Sequence, residues 1–415
     1  MNRAGSRTFV TRPEISDPSP RSRQLVNVLL VAPYPPKPDG IGVHTRILAA
    51  HLAAIPEMQV GIVTSGRSCV EDGPEVHRVL GASPMSIERV VATVRRTDAD
   101  VLHYQFAIPA LGLAGLWAIA GGLLARRRSG TRLVFTLHEI RREIRLLGPV
   151  GRLFYEFLAR AADAIIVYGP EAAELAIGCG AVERNVHVMP HGLARAAMTT
   201  PPAAEISRVR AAHGVRARNV VVAPGYIHPD KGTGVLVEAF GRLGASTPDL
   251  RENTVLVIAG AVRPRQGVFR LFERKDHQFE AQLRSRVEQL GLEGSVVFTG
   301  FLPDDDLTAM LHTADVVACP YLEATQSGIL NLAIAAGRAC VVSDLPGLVH
   351  NIGPDAITAT PGDADSLAAG LRRVLENPQL QARLEQSQRA NRELLTFDNI
   401  ATRLSALYAV VATPR

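Results

Sequence analysis

Apolar residues in this chain come in blocks, and the blocks alternate between two periods. Residues 25–32 are an apolar run interrupted only by Asn27, the pattern of a strand covered on both faces of a parallel sheet. The Pro- and Gly-rich stretch PYPPKPDGIG follows, and residues 44–54 then carry apolar positions at helical spacing. The unit repeats. Strands are predicted over 60–64, 76–80, 100–104, 133–139, 162–167 and 185–192, with a helix over 86–96. Residues 194–218 lose the pattern, contain Thr-Thr-Pro-Pro, and read as irregular. A second series starts at Asn219. Its strands are predicted over 220–223, 254–260, 296–301, 315–319 and 339–343. Helices are predicted over 235–243, 263–286, 307–311, 329–336, 363–376, 378–392 and 397–411. Two βα series predict an α/β protein with two doubly wound, Rossmann-like domains. The expected boundaries are a disordered leader over 1–24, a first domain over 25–195, a linker over 196–218, a second domain over 219–392 and a closing helix over 393–415.

One segment tests this division. Residues 108–125 contain no charge and precede Arg126-Arg127-Arg128, so length alone permits a membrane span. The many Gly and Ala residues around Trp117, and the position between two predicted strands, point to a buried crossover helix.

Composition narrows the chemistry. A chain of 415 residues is too long for one ordinary core, and 47% hydrophobic with 20% charged residues is globular. A net charge of +5 suits anionic small molecules or lipid surfaces. It is too small for a nucleic-acid partner, and no zinc finger, RNP-like motif or dense basic arm is present. Cys69, Cys179, Cys319 and Cys340 are scattered without a Cys-x-x-Cys pair, as in a reduced, cytoplasmic protein. Lysine occurs only at 37, 231 and 275.

Against that background Lys231 stands out. It lies in the glycine-bounded loop PGYIHPDKG between a strand and a helix, where a compact ammonium suits a diphosphate. The second candidate is the stretch 320–344, PYLEATQSGILNLAIAAGRACVVSD. It joins the carboxylate Glu323 to a Ser-Gly turn at a helix start, whose free N–H groups favour an anion. In the first domain, Asp39-Gly40-Ile41-Gly42 is not a dinucleotide fingerprint, but Gly40 and Gly42 let backbone approach a ligand. His103 and His138 end predicted parallel strands, where open α/β sheets bind ligands. Arg141, Arg142 and Arg145 lie among Leu146, Leu147, Phe154 and Phe157. That amphipathic stretch reads as a solvated face, or as an acceptor or anionic-membrane surface peripheral to the inner leaflet. The triplet Asp304-Asp305-Asp306 precedes a helix, where carboxylates serve the helix start rather than a metal.

Taken together, PYPPKPDGIGVHTRILAAHL, ADVLHYQF, LVFTLHE, ADAIIVYGPE, VHVMPHG, APGYIHPDKGTGVLVEAF, VVFTGFLPDDDL and ADVVACPYLEATQSGILNLAIAAGRACVVSD occur in the order found in the GT-B glycosyltransferases. The sequence most resembles the retaining, nucleotide-sugar-dependent family four (glycosyl transferases group 1). FDNIATRLSALY resembles that family's closing helix, which packs back on the first domain. The resemblance implies a donor-binding second domain and an acceptor-binding first domain, with no metal or other cofactor. By it, Lys231 contacts the diphosphate, and Glu323 with the Ser327 and Gly328 amides holds donor hydroxyls or phosphate. Gly225, His228, Gln326 and Asn331 complete the donor side. His138 lies over the reacting sugar carbon, and Gly40 and Gly42 shape the loop facing the diphosphate. His103, Arg141, Arg142 and Arg145 fall on the acceptor side. Two departures stand out. Tyr226 and His228 occupy places where versions of the family carry Arg, and Asn331-Leu332 stand where a second Glu would bind ribose. The expected activity is transfer of a hexose-type sugar to a glycan, lipid-linked or small-molecule acceptor. The alternatives are a non-catalytic homologue serving as a scaffold and a sugar-nucleotide epimerase.

Overall fold

The computed structural model describes residues 25–36, 39–66, 73–193, 195–246, 248–264, 270–324, 327–353 and 355–413. The expected leader over 1–24 and Gln326 lie outside these residues. The first sheet contains β1 (Val26–Val31), β2 (Met58–Ser65), β3 (Glu75–Leu80), β4 (Val101–Phe106), β5 (Arg132–Leu137), β6 (Ala164–Val167) and β7 (Val186–Val188). Its order is β3-β2-β1-β4-β5-β6-β7, all parallel. The helices of this half are α1 (Gly40–Ala53), α2 (Met85–Thr97), α3 (Ile108–Ser129), α4 (Ile140–Ala161) and α5 (Pro170–Gly178). After α6 (Ala203–Ala212) comes the second sheet. Its strands are β8 (Asn219–Pro224), β9 (Thr254–Ala259), β10 (Val296–Phe298), β11 (Val316–Cys319), β12 (Cys340–Ser343) and β13 (Ile357–Ala359). They run in the order β10-β9-β8-β11-β12-β13, again parallel. The remaining helices are α7 (Thr233–Ser246), α8 (Pro248–Glu252), α9 (Arg270–Gln289), α10 (Asp304–Thr313), α11 (Gly328–Ala335), α12 (Pro346–Ile352), α13 (Ala364–Leu375), α14 (Pro378–Leu394) and α15 (Phe397–Ala412).

The largely apolar strands follow from burial on both faces. In β1, Leu29 and Val31 join the layer formed by α2, α3 and α4, while Val28 and Leu30 face α1 and α15. So the last helix of the chain covers one face of the first sheet, burying Phe397, Ile400, Leu404 and Tyr408. A parallel pair between Leu193 and Thr396 fixes where it begins.

Three sequence expectations need correction. The stretch over 196–218 is not irregular throughout. It holds α6, whose Ile206 and Val209 pack into the second domain against α10, and Arg208 pairs with Asp306. A ten-residue helix with a two-residue apolar stripe is too short to stand out by period. Helix α9 begins at Arg270, so Arg263 stands in the loop after β9. Helix α3 does cross over between β4 and β5, but only a third of its apolar window is buried. Its small residues form the packed face. A Cβ at Gly122 would stand 2.0 Å from the Tyr104 hydroxyl, which donates to the Ala118 carbonyl at 2.9 Å.

Candidate active site

In each sheet the strand order reverses once, between β1 and β4 and between β8 and β11, and ligands of doubly wound folds bind at such points. At the second switch point two loops are locked together. The loop after β8 carries Lys231 and the loop after β11 carries Glu323, and the Leu322 N–H donates to the Asp230 carbonyl at 2.8 Å. Gly232 has φ +66°, and a Cβ there would lie 1.8 Å from the Pro320 carbonyl oxygen, so only glycine lets the loops close on each other. Gly225, at φ +110°, makes the turn out of β8, beside Ile329.

Lys231 Nζ sits 3.8 Å above the centre of the Tyr321 ring. Burial lowers its pKa, and among the described residues no carboxylate lies within ion-pair distance of it. The Tyr321 hydroxyl meets Ser327 Oγ at 2.9 Å, and Ser327 Oγ in turn accepts the Leu330 N–H at 3.1 Å as the N-cap of α11. Among the described residues the Gly328 and Ile329 amides are left without acceptors. A desolvated cation, an aromatic floor and a helix start thus converge on one place. His228 is less free. Its Nδ1 accepts the Asp230 N–H at 3.2 Å, which leaves Nε2 facing buried Asp276 at 3.7 Å. Asn331 is buried, and among the described residues neither end of its amide has a partner.

Across the cleft, His138 directly follows β5. Its backbone N–H donates to the Phe106 carbonyl at 3.0 Å, and its Nε2 meets Gln105 Oε1 at 2.9 Å. Burial first, then the neighbouring His191 and His103, push its pKa down to about 3, so the ring is neutral at pH 7. His138 and Arg141 line a small pocket with Tyr168, Glu171 and, from the second domain, Gly347. Arg141 pairs with Glu171, and Arg142 approaches Glu139 at 3.8 Å. Arg145 reaches over the cleft to Glu323 at 2.8 Å, an exposed pair that holds the Glu323 carboxyl below its usual pKa.

The structure therefore gathers Gly225, His228, Lys231, Ser327, Gly328 and Asn331 around one switch point, with Glu323 and Arg145 bridging to the other domain. Two expectations fail. His103 is not on an acceptor surface: it is fully buried, with Nδ1 2.6 Å from Tyr408 Oη and Nε2 2.7 Å from Thr136 Oγ1. Gly40 and Gly42 are not in an open loop but in the first turn of α1. The Asp39 carboxylate takes the Ile41 and Gly42 N–H groups at 2.9 and 3.1 Å, so this helix start offers those donors to no outside anion. Sequence reasoning missed Tyr321, Gln105, Tyr168 and Tyr408. Tyr321 lies two residues from Glu323, and Gln105 two residues from His103 on the same strand face, so spacing alone could have flagged both.

Comparison with known proteins agrees with this geometry. The model for "Glycosyl transferases group 1" matches residues 206–391, and that for "Glycosyltransferase Family 4" matches residues 38–196. Two Rossmann-like domains across a cleft, each matched by its own half-model, define a GT-B glycosyltransferase. The chain belongs to the group 1, family-four-like branch of these proteins. It is 27% identical to the 2-deoxystreptamine glucosyltransferase of Streptomyces kanamyceticus, over 68% of this chain and 70% of that one. It is 29% identical to the phosphatidyl-myo-inositol mannosyltransferase of Mycolicibacterium smegmatis, over 75% of this chain and 68% of that one. Among solved structures, Anabaena HepE in complex with UDP superposes with a TM-score of 0.70 at 18% identity, covering 93% of this chain and all of that one.

Proposed function

We propose that this protein is a retaining glycosyltransferase that moves a hexose-type sugar from a nucleotide-diphosphate donor to a glycan, lipid-linked or small-molecule acceptor. The observation that carries this reading is Lys231, a desolvated cation with no carboxylate partner among the described residues, beside the open helix start at Gly328. A diphosphate supplies the missing countercharge, and its charge grows as the sugar leaves. The family relationship supports a sugar-nucleotide donor. One relative is a glucosyltransferase, another a mannosyltransferase, and the structural neighbour holds UDP.

In this reading the bond between the anomeric carbon and the leaving phosphate oxygen breaks as the acceptor oxygen bonds the same face of that carbon. The leaving phosphate takes the acceptor's proton, giving a glycoside and a nucleoside diphosphate. Lys231 and the α11 amides stabilise the leaving charge without a metal. Glu323, once released from Arg145, holds donor hydroxyls, and neutral His138 offers hydrogen bonds rather than charge. Asn331 has its amide free for the ribose hydroxyls. A lipid-linked acceptor is favoured by α4. Leu146, Val150 and Leu153 are 71%, 71% and 65% exposed on it, beside Arg141, Arg142 and Arg145, and such a face suits a peripheral contact with an anionic inner leaflet.

The test is incubation with a panel of UDP-, GDP- and ADP-sugars, scoring slow donor hydrolysis and thermal shift. One donor class should be hydrolysed and should raise the melting temperature. No turnover and no shift with any donor would leave the scaffold reading standing. Sedimentation with vesicles, with and without anionic lipid, checks the α4 face separately.

A further inference from the structure

The first sheet carries a polar seam under α15, of which the proposed chemistry uses only His138. Along β4 the residues facing α15 are Val101, His103 and Gln105, and along β5 they are Val134, Thr136 and, just past the strand, His138. The seam is apolar where the strands begin and polar where they end, and α15 lays Tyr408 across it, fully buried. Its hydrogen bonds form one chain. Tyr408 Oη lies 2.6 Å from His103 Nδ1. His103 Nε2 lies 2.7 Å from Thr136 Oγ1 and 3.3 Å from Gln105 Nε2. Gln105 Oε1 lies 2.9 Å from His138 Nε2.

The glutamine sets a rule. One end of its amide only donates and the other only accepts, whereas the Thr136 and Tyr408 hydroxyls can do either. The histidine facing the amide nitrogen must present a lone pair at Nε2. The histidine facing the amide oxygen must present an N–H. As the amide lies here, His138 carries its proton on Nε2 and His103 on Nδ1, toward Tyr408. Turning the amide over reverses both histidines together and changes neither net charge nor the number of bonds. We propose that Gln105 is a positioning residue that makes the Nε2 protons of His103 and His138 mutually exclusive. Through Tyr408 it ties the tautomer of His138 to the seating of the C-terminal helix. The link to catalysis rests on the reading that His138 faces the reacting sugar. The tautomer rule does not.

The experiment uses the full-length protein labelled with ¹⁵N-histidine, and reads tautomers from two-bond ¹H–¹⁵N correlations. In the wild type, His103 and His138 should be neutral at pH 7 and protonated on opposite ring positions. In Gln105→Glu a carboxylate accepts on both sides, so His103 should switch to Nε2–H while His138 stays Nε2–H. In Tyr408→Phe the His103 Nδ1–H loses its acceptor. His103 should switch to Nε2–H, the amide should turn, and His138 should switch to Nδ1–H, although Tyr408 does not touch it. The unfolding midpoint of each variant checks that it is folded. A His103 signature unchanged in Gln105→Glu, or a His138 signature unchanged in Tyr408→Phe, overturns the relay. Activity is scored apart, with the kcat for donor turnover expected to fall at least tenfold in Tyr408→Phe while donor KM stays within twofold. If the tautomers switch and kcat does not move, the relay stands and the placement of His138 at the sugar falls.

Discussion

At the residue scale the donor side turns on two neighbours. Lys231 is the one desolvated side-chain cation found there among the described residues, because His228 is already engaged and Tyr226 carries no charge. A charge-assisted contact is worth about 1.5–3 kcal/mol, so Lys231→Ala should weaken nucleoside diphosphate binding by roughly 10- to 100-fold. Titration calorimetry measures this, and unchanged affinity would remove Lys231 from the site. Gly232 acts through backbone instead. A methyl group 1.8 Å from the Pro320 carbonyl cannot be accommodated, and φ +66° adds strain. Gly232→Ala should therefore part the two loops, weaken the diphosphate as Lys231→Ala does, and lower the melting temperature, which Lys231→Ala should not. Lys231 was legible in the sequence because lysine is rare here and this one stands between a strand and a helix. The partners that give it meaning were not. Tyr321 lies ninety residues further on, and the Arg145–Glu323 pair joins positions that only the closed cleft brings together.

At the element scale, strands and long helices were legible because burial on one or both faces stamps a period on the sequence. Helix α6 was not, and the role of α15 was legible only by resemblance. Its own pattern predicts an amphipathic helix but not which sheet it covers. The structure answers that through Phe397, Ile400 and Leu404, which complete the layer made with α1. Leu404 is 2% exposed, so Leu404→Ala should cost about 2–5 kcal/mol. Trp117, the single tryptophan, sits in α3 on the opposite face of the same sheet. Urea unfolding followed by its fluorescence should show an earlier midpoint in Leu404→Ala. If α15 were an appendage, the Trp117 transition would not move.

At the scale of the whole molecule, the first domain concentrates neutral histidines where a ligand-binding rim meets a covering helix. His44 lies 4.3 Å from His191 and 6.0 Å from His138, ring centre to ring centre, and His103 lies deeper in the same seam. Burial lowers the pKa of all four and pushes His103 and His138 down to about 3. In the unfolded chain each returns to about 6.5, so below that pH the unfolded state binds protons that the folded state refuses. Stability is thus fully present above about pH 6.5 and is lost as pH falls below it, for His103 and His138 down to about pH 3 and by about 1.4 kcal/mol per pH unit for each of these two. For His103 and His138 alone, the loss between pH 7.5 and 5 is on the order of 4 kcal/mol. Glu143 works the other way, since burial raises its pKa and its protonated form is favoured inside. The Trp117 urea midpoint should therefore fall steeply from pH 7.5 to 5, before ordinary carboxylates titrate. His103→Gln, which keeps hydrogen bonds in the seam without a titrating ring, should flatten that fall by the share His103 contributes. A midpoint constant over this range would mean that the four rings are solvated in the folded protein, and that the seam beneath α15 is open.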